Sequence, residues 1–340
     1  MQKIVWPRDL GEKVRSVKLK LSVIIISWNV KDSLIVCLHS IEANQPCCEC
    51  ETIVVDNAST DGTVSLLKRD FPQVKLIANS GNRGFSAANN QAIKIAKGEY
   101  LLLLNPDTVV HPCSLDTLIK FLDNYRDFGA CGPKLLDADG RMHTSIGYVP
   151  TFRSILYGKT IFRSMGLFQG HYRKLQTDNI DCSKQVDVEQ ISGAVIMVRC
   201  SLMKQIGLMD ESFFLYYEDV DLCLRIRKAG WRIAYVPDAM ITHTGGRSTL
   251  QVSAKKKIML HKSLLIFLRK HKGRFPTTLF SFIFKPCVII GEVLNVLVGT
   301  VTFAFSILLR NRRRQRKSLL KIKNSTVFIL RYMWYFLFLA

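Results

Sequence analysis

Acidic residues are nearly absent from the last quarter of this chain, where from residue 251 onward a single one, Glu292, faces eighteen Lys/Arg. Of the formal net charge of +21, the tail therefore holds most, and the first 250 residues are close to balanced. A polyanionic partner is expected for the tail rather than for the whole chain. Paired cysteine motifs are also missing. Cys47 and Cys50 in "PCCEC" have the spacing of half a zinc site, but no second pair at matching spacing follows, which favours a loop of free thiols over a metal. The opening "MQKIVWPRDLGEKVRS" has no apolar h-region, so the expectation is a reducing, cytosolic setting. No G-x-G-x-x-G is present: Gly81 and Gly84 do not complete it, and their loop follows the third predicted strand, which weighs against a dehydrogenase. No internal repeat or low-complexity tract occurs, and 340 residues suffice for one large or two medium domains.

Strands and helices alternate through the first half. "LSVIIIS" (21–27), "TIVV" (52–55), "KLIANSG" (75–81) and "YLLLLNPD" (100–107) read as strands. Helical spacing over 32–44, "TVSLLKRDF" and "SAANNQAIKIAKG", the last stopped by Gly98, fills the intervals. This beat predicts an α/β fold with a mostly parallel central sheet. Four consecutive leucines, 101–104, suit a strand buried on both faces. Ligands of such sheets bind beyond the strands' carboxyl ends. Three polar clusters fall there and should share one crevice: "WN" at 28, "DNASTDG" at 56 and "NPD" at 105. The second half is less regular. An extended segment turns at Asp139-Gly140, 147–185 reads as a long flexible loop, "VEQISGAVIMVRCSLMKQIG" as strand then helix, and "YYEDVDLCLRIRKAG" as an acidic cluster opening a helix.

Each carboxylate has a plain reading and a chemical one. Asp61 suits a helix N-cap, whereas Asp56, just past a buried strand, is placed to accept hydrogen bonds from a base or ribose. Asp107 fits a helix cap, an Asn-Pro turn, or the single carboxylate that a hard cation with phosphate ligands requires, with Asn105 beside it. Asp221 pairs with Arg225 at i, i+4, leaving Glu218 and Asp219 among Phe213, Phe214, Tyr216 and Tyr217, surroundings that raise a carboxylate's proton affinity and suit general-base work. His243 in "THTGG" is unremarkable alone and a ligand candidate beside a metal carboxylate.

In order, "SVIIISWN", "ETIVVDNASTDGT", "NSGNRGFSAANNQAI", "YLLLLNPDTVV", "ISGAVIMVR", "FFLYYEDVDLCLRIRKAGWRIAYVPDAMITHTGG" and "HKSLLIFLRKH" resemble the inverting family-two nucleotide-sugar glycosyltransferases of A-type fold, within them the rhamnosyltransferase-like branch. The matching segments span roughly residues 20–271. The resemblance implies a Rossmann-like sheet with an N-terminal tail (1–19), a nucleotide-sugar-binding half (20–125), an acceptor and catalytic half (126–250) and a C-terminal helical membrane-associated extension (251–340). It implies that Ser27, Asn29, Asp56, Asn82, Gly84, Asn105 and Asp107 form the nucleotide-sugar site, Asp56 at the base. Asn105 and Asp107 occupy the family's Asp-x-Asp motif with its first acid replaced, so Asp107, with His243 near the diphosphate, would anchor Mg²⁺ or Mn²⁺. Asp219 matches the base that deprotonates the acceptor, with Glu218 its rival. The implied reaction moves a sugar, rhamnose in that branch, from a nucleoside-diphosphate donor to a saccharide or lipid-linked saccharide with inversion. A membrane-tethered nucleotide-sugar-binding protein without catalysis is the alternative.

In the tail, 254–272 put Leu260, Leu264, Phe267 and Leu268 on one helical face and Lys255, Lys262 and Arg269 on another, a basic amphipathic helix that suits either docking on the catalytic core or membrane contact. Residues 287–309 are long and apolar enough to cross a bilayer, with a polar, small-residue stripe at Glu292, Asn295, Gly299, Thr302 and Ser306. "RNRRRQRK" follows, and one crossing would set this segment and the catalytic half on opposite sides. A re-entrant, in-plane or homo-oligomer-packed helix at the cytoplasmic face is therefore expected, the anionic leaflet serving as the tail's polyanion. The closing "VFILRYMWYFLFLA" suits the interface, and the tail's apolar content argues against nucleic acid.

Overall fold

The computed structural model describes residues 19–143, 145–160, 183–245 and 253–339. The strands are β1 (Leu21–Ser27), β2 (Cys50–Asp56), β3 (Lys75–Ala78), β4 (Tyr100–Leu104), β5 (Thr108–Val110), β6 (Phe128–Leu136), β7 (Met142–His143), β8 (Ile146–Gly147), β9 (Val186–Asp187), β10 (Gln190–Ile191), β11 (Val195–Arg199) and β12 (Arg232–His243). The helices are α1 (Lys31–Ala43), α2 (Thr63–Asp70), α3 (Phe85–Ile95), α4 (Ser114–Asn124), α5 (Phe152–Lys159), α6 (Cys200–Ile206), α7 (Glu218–Lys228), α8 (Ser253–Lys272), α9 (Arg274–Leu308), α10 (Arg312–Val327) and α11 (Met333–Leu337), with a π-helical turn at Phe328–Tyr332 before the last.

One ten-stranded sheet runs in the order β3-β2-β1-β4-β11-β6-β12-β5, with β7 on β6 and β9 on β12. Its first block, β3-β2-β1-β4, is parallel throughout, as is β6 on β12, while β11 enters antiparallel between β4 and β6. This is the α/β architecture that the alternation of elements predicts. The leucines of β4 are buried on both faces: Leu101 and Leu103 pack with Ile24, Ile53 and Leu222, and Leu102 and Leu104 with Val23, Val54 and Leu118. A strand covered on both sides needs no polar alternation, so its sequence reads as an unbroken apolar run.

Several details differ from the sequence reading. Gly98 does not end α3, which stops at Ile95; a Cβ at Gly98 would run into the Ser22 backbone of β1, so the glycine serves strand approach. Within 147–185, α5 is an ordered helix started by a reciprocal Thr151–Ser154 capping box, while 161–182 lie outside the described residues. Asp107 caps no helix, since β5 follows it directly.

The tail packs on the α/β core. Leu264, Leu265, Phe267 and Leu268 of α8 are buried in one cluster with Phe213 and Val220, which settles its apolar face on protein. Buried Asp221 locks the contact, accepting from Arg225 Nε at 2.8 Å and meeting Lys270 Nζ and His271 Nε2 at 2.7 Å each. Three residues of the stripe on α9, Glu292, Gly299 and Ser306, are also taken up within the chain, while Thr302 is exposed. Glu292 accepts from Lys257 of α8 at 2.9 and 2.7 Å, and Gly299 lies so close to Ile322 of α10 that a Cβ would stand 2.8 Å from it. Gln315 donates to the Ser306 carbonyl, so α10 runs back antiparallel along α9. The closing segment is only half interfacial in character: Phe328 and Phe336 are buried against Phe284, whereas Leu330, Trp334 and Phe338 are exposed.

Candidate active site

At the carboxyl ends of β1 and β2 the chain bonds tightly to itself. Asp56 and Ser27 are paired in register; Asn57 N donates to the Ser27 carbonyl at 2.8 Å, and Asp56 Oδ2 accepts from Ser59 N at 2.9 Å. Asn29 takes φ +53, its N donating to Ser59 Oγ and its Oδ1 accepting from Thr60 N. Asp61 Oδ2 accepts from Lys31 N and its Oδ1 from Thr63 N, so it joins the starts of α1 and α2, one residue ahead of a regular N-cap. Two buried atoms here have no partner, Ser27 Oγ and Asp56 Oδ1.

Loop 79–84 is fastened to this edge by Asn57, whose Oδ1 accepts from Asn79 Nδ2 and Arg83 N and whose Nδ2 donates to the Gly84 carbonyl. Asn82 Oδ1 accepts from Gly84 N at 2.9 Å. Gly84 has φ +84 and sits where a Cβ would be 2.7 Å from the Phe214 ring and carbonyl, while Phe85 N donates to that carbonyl at 2.7 Å. The glycine thus permits a close approach of the loop to Phe214.

Beyond β4, pairing of β5 with β12 sets His243 opposite Thr108 and brings its ring to the preceding aspartate. His243 Nε2 lies 3.2 Å from Asp107 Oδ1 and 3.5 Å from Asn105 Nδ2. A hard oxygen and an imidazole nitrogen therefore converge on one point. No cluster of three or more His, Cys, Asp or Glu joins them among the described residues. The pair fits a cation that keeps water and diphosphate oxygens as its remaining ligands, as Mg²⁺ does.

The backbone links this corner to the acidic helix. Asn105 N donates to the Ala194 carbonyl at 2.9 Å, and the adjacent Gly193 N donates to Asp219 Oδ2, also at 2.9 Å. Asp219 Oδ1 accepts from Val220 N, the amide after its own, so both carboxylate oxygens are held by main chain. Burial raises the Asp219 pKa and those amides oppose it. Burial, reinforced by the Asp219 charge, pushes Glu218 well above the usual carboxylate range, and its buried Oε2 has no partner. Both acids open α7, where the helix N-terminus favours negative charge. They follow two successive non-glycine residues in left-handed conformation, Tyr216 at φ +71 and Tyr217 at φ +67, strain of about 1–3 kcal/mol each.

One cleft of about 820 Å³ gathers these corners. Asn82, Gly84, Asn105, Asp107 and His243 line it together with Glu218 and Asp219, as do Trp28 and Asn57 from the first two clusters. Ser27, Asn29 and Asp56 are not among its lining residues and stand behind it. Sequence reasoning missed Gly193, whose amide aims Asp219; the signal was a Ser-Gly immediately before an apolar strand. It also missed Lys255 and Lys256, which line the cleft from α8; of the two, only Lys255 belongs to the basic face predicted with Lys262 and Arg269.

The family model described as Glycosyl transferase family 2 matches residues 22–184. Over 239 residues the chain is 33% identical to the N-acetylglucosaminyl-diphospho-decaprenol L-rhamnosyltransferase of Mycobacterium tuberculosis, covering 65% of this chain and 75% of that one. It is 28% identical over 167 residues to rhamnosyltransferase WbbL of Escherichia coli, covering 47% and 60% of the two chains. Among solved structures, the mannosyltransferase PcManGT from Pyrobaculum calidifontis, in complex with GDP-Man and Mn²⁺, superposes with a TM-score of 0.52 over 93% of this chain and 89% of that one at 16% identity, a likeness of fold.

Proposed function

The chain belongs to glycosyl transferase family 2, and from that premise we propose that it transfers a sugar, rhamnose foremost, from a nucleoside diphosphate to a saccharide carried on a lipid diphosphate, with inversion. The observation that carries the reading is the meeting of Asp107 and His243 with Asp219 in one cleft. The relatives named for L-rhamnose transfer support the sugar, and the decaprenol relative's name supports the acceptor class.

The donor's nucleoside lies in this reading toward the ends of β1 and β2, along Trp28 and Asn57, the residues of those clusters that line the cleft. Asn82 and the amide-rich loop around Gly84 line the sugar-diphosphate path. Asp107 and His243 would hold Mg²⁺ or Mn²⁺, with Asn105 alongside. When bound, such a cation offsets the negative charge that grows on a departing diphosphate, without a proton.

Asp219 takes the acceptor hydroxyl's proton as that oxygen attacks the sugar carbon. A base must be ionised at working pH and within hydrogen-bond reach of the proton it removes. Two backbone amides stabilise the ionised form of Asp219, whereas the buried Oε2 of Glu218 has no such donor, so Asp219 is the base in this reading. Only a single displacement is needed, since no second nucleophile has to hold the sugar.

At the membrane, α9 is long and apolar enough to cross a bilayer by length and composition. A crossing would carry Lys321 and Lys323 of α10 into hydrocarbon, because α10 runs back along α9 with Ile322 beside Gly299. We therefore place the α9–α10 pair flat on the cytoplasmic leaflet, with Phe282, Leu297 and Val301 toward lipid.

The test is donor turnover by the full chain across a panel of nucleoside-diphosphate sugars with Mn²⁺. Metal-dependent release of nucleoside diphosphate, strongest with a rhamnose donor, is expected. Tight donor binding with no turnover in the presence of acceptor would favour the non-catalytic binding protein instead.

A further inference from the structure

Three successive lysines, Lys255, Lys256 and Lys257, stand in the first turn of α8. That is where the helix macrodipole makes cations least favourable. Lys257 reaches across to Glu292 of α9. Lys255 and Lys256 are exposed and line the cleft, the second with its Nζ 5.8 Å from the centroid of the strained Tyr216 ring. One turn further along α8, Met259 and Leu260 line the same cleft, as does Leu215. The Lys257–Glu292 pair sets the middle of α9 beside this turn, and there Ile290, Val293 and Leu294 are exposed. Two cations flanked by apolar wall, next to an apolar outer face, describe a site for an anion joined to hydrocarbon. The donor's diphosphate has its own corner at Asp107 and His243.

We propose that Lys255 and Lys256 bind the phosphate groups of a lipid-linked acceptor and that Met259, Leu260 and Leu215 receive the first carbons of its chain. This rests on the sugar-transfer reading and adds to it the residues that select the acceptor.

Farnesyl diphosphate serves as the probe, titrated against the full chain in detergent beside farnesol, inorganic pyrophosphate and a nucleoside-diphosphate sugar with Mn²⁺. The comparison is between wild type, a Lys255→Gln/Lys256→Gln variant and a Lys255→Arg/Lys256→Arg variant, all checked for an unchanged Tm. Farnesyl diphosphate affinity is expected to fall about tenfold or more in the glutamine pair, as loss of two charges near an anion implies, and to persist in the arginine pair. Donor affinity is expected to stay as in wild type, and farnesol and pyrophosphate each to bind wild type more weakly than farnesyl diphosphate. Unchanged farnesyl diphosphate binding in the glutamine pair would overturn the proposal. So would a parallel loss of donor affinity, which would assign the lysines to the donor, or pyrophosphate binding as tight as farnesyl diphosphate, which would remove the apolar wall from the site. Failure of the transfer reading itself shows elsewhere, as wild type neither binding nor turning over any donor.

Discussion

His243 Nε2 stands 3.2 Å from Asp107 Oδ1 because β5, three residues long, pairs with the last residues of β12 and sets His243 opposite Thr108. The first prediction concerns this pair. Asp107→Asn removes the hard anionic ligand with little change of shape, so Mn²⁺ should no longer raise the protein's Tm in the presence of a nucleoside diphosphate, and donor turnover should fall by about two orders of magnitude or more. His243→Ala should weaken the Mn²⁺ effect less. Differential scanning fluorimetry with and without Mn²⁺ checks both.

Glu218 gives a prediction in pH. Its folded pKa lies well above the ordinary value, through burial first and the Asp219 charge second. Between the unfolded and the folded pKa the folded state holds more protons, so this group's contribution to stability falls as pH rises through that window. Glu218→Gln abolishes the titration. Its Tm should exceed that of wild type at about pH 8, and the advantage should vanish below about pH 4, where both states are protonated. Asp219 is also raised, so the acidic limb of kcat/KM should lie above the usual aspartate range. A Glu218→Gln advantage that grew toward low pH would reverse the sign and refute the assignment.

Gly193 offers a steric test. A Cβ there would stand 3.0 Å from both Cβ and Oδ2 of Asp219, so Gly193→Ala must shift the carboxylate by a few tenths of an ångström from its place on the amide. Overpacking of this kind costs about 1–3 kcal/mol. The expectation is a fall in kcat of about tenfold or more, with donor KM near wild type, since Gly193 bonds to Asp219 and not to the Asp107–His243 pair. Steady-state kinetics at saturating acceptor separates the two constants.

The tail yields a prediction about attachment. The full chain should sediment with vesicles containing anionic lipid, less so at high salt, and should be released by alkaline carbonate, as a helix pair lying in the interface would be. Replacing Arg312, Arg313, Arg314 and Arg316 with Gln should abolish the salt-sensitive part. Retention after carbonate would argue for a spanning helix.

Much of the fold was legible because strands buried on both faces write themselves as apolar runs, and the leucines of β4 are the clearest case. Of the carboxylates at the strand ends, Asp107 lines the cleft, whereas Asp56 is buried and does not line it, because its carboxylate turns back to bond the Ser59 amide. Gly193 was not legible, because its contribution is a backbone amide, and no side chain announces where an amide points. The stripe on α9 was legible as a packing face, but its partner was not. Small residues ask only for a close neighbour, and α10 of the same chain supplies what a bilayer or a second copy also would. Lys255 looked like part of any solvated basic face until the fold of α8 onto the core turned it, with Lys256, to the cleft.

The measurement that bears most directly on the central claim is the single-turnover rate of Asp219→Asn with saturating donor, acceptor and Mn²⁺, beside its donor affinity. Loss of a positioned general base predicts a rate about 10²–10⁴-fold below wild type with donor affinity retained. A variant that transfers sugar at the wild-type rate would contradict the account.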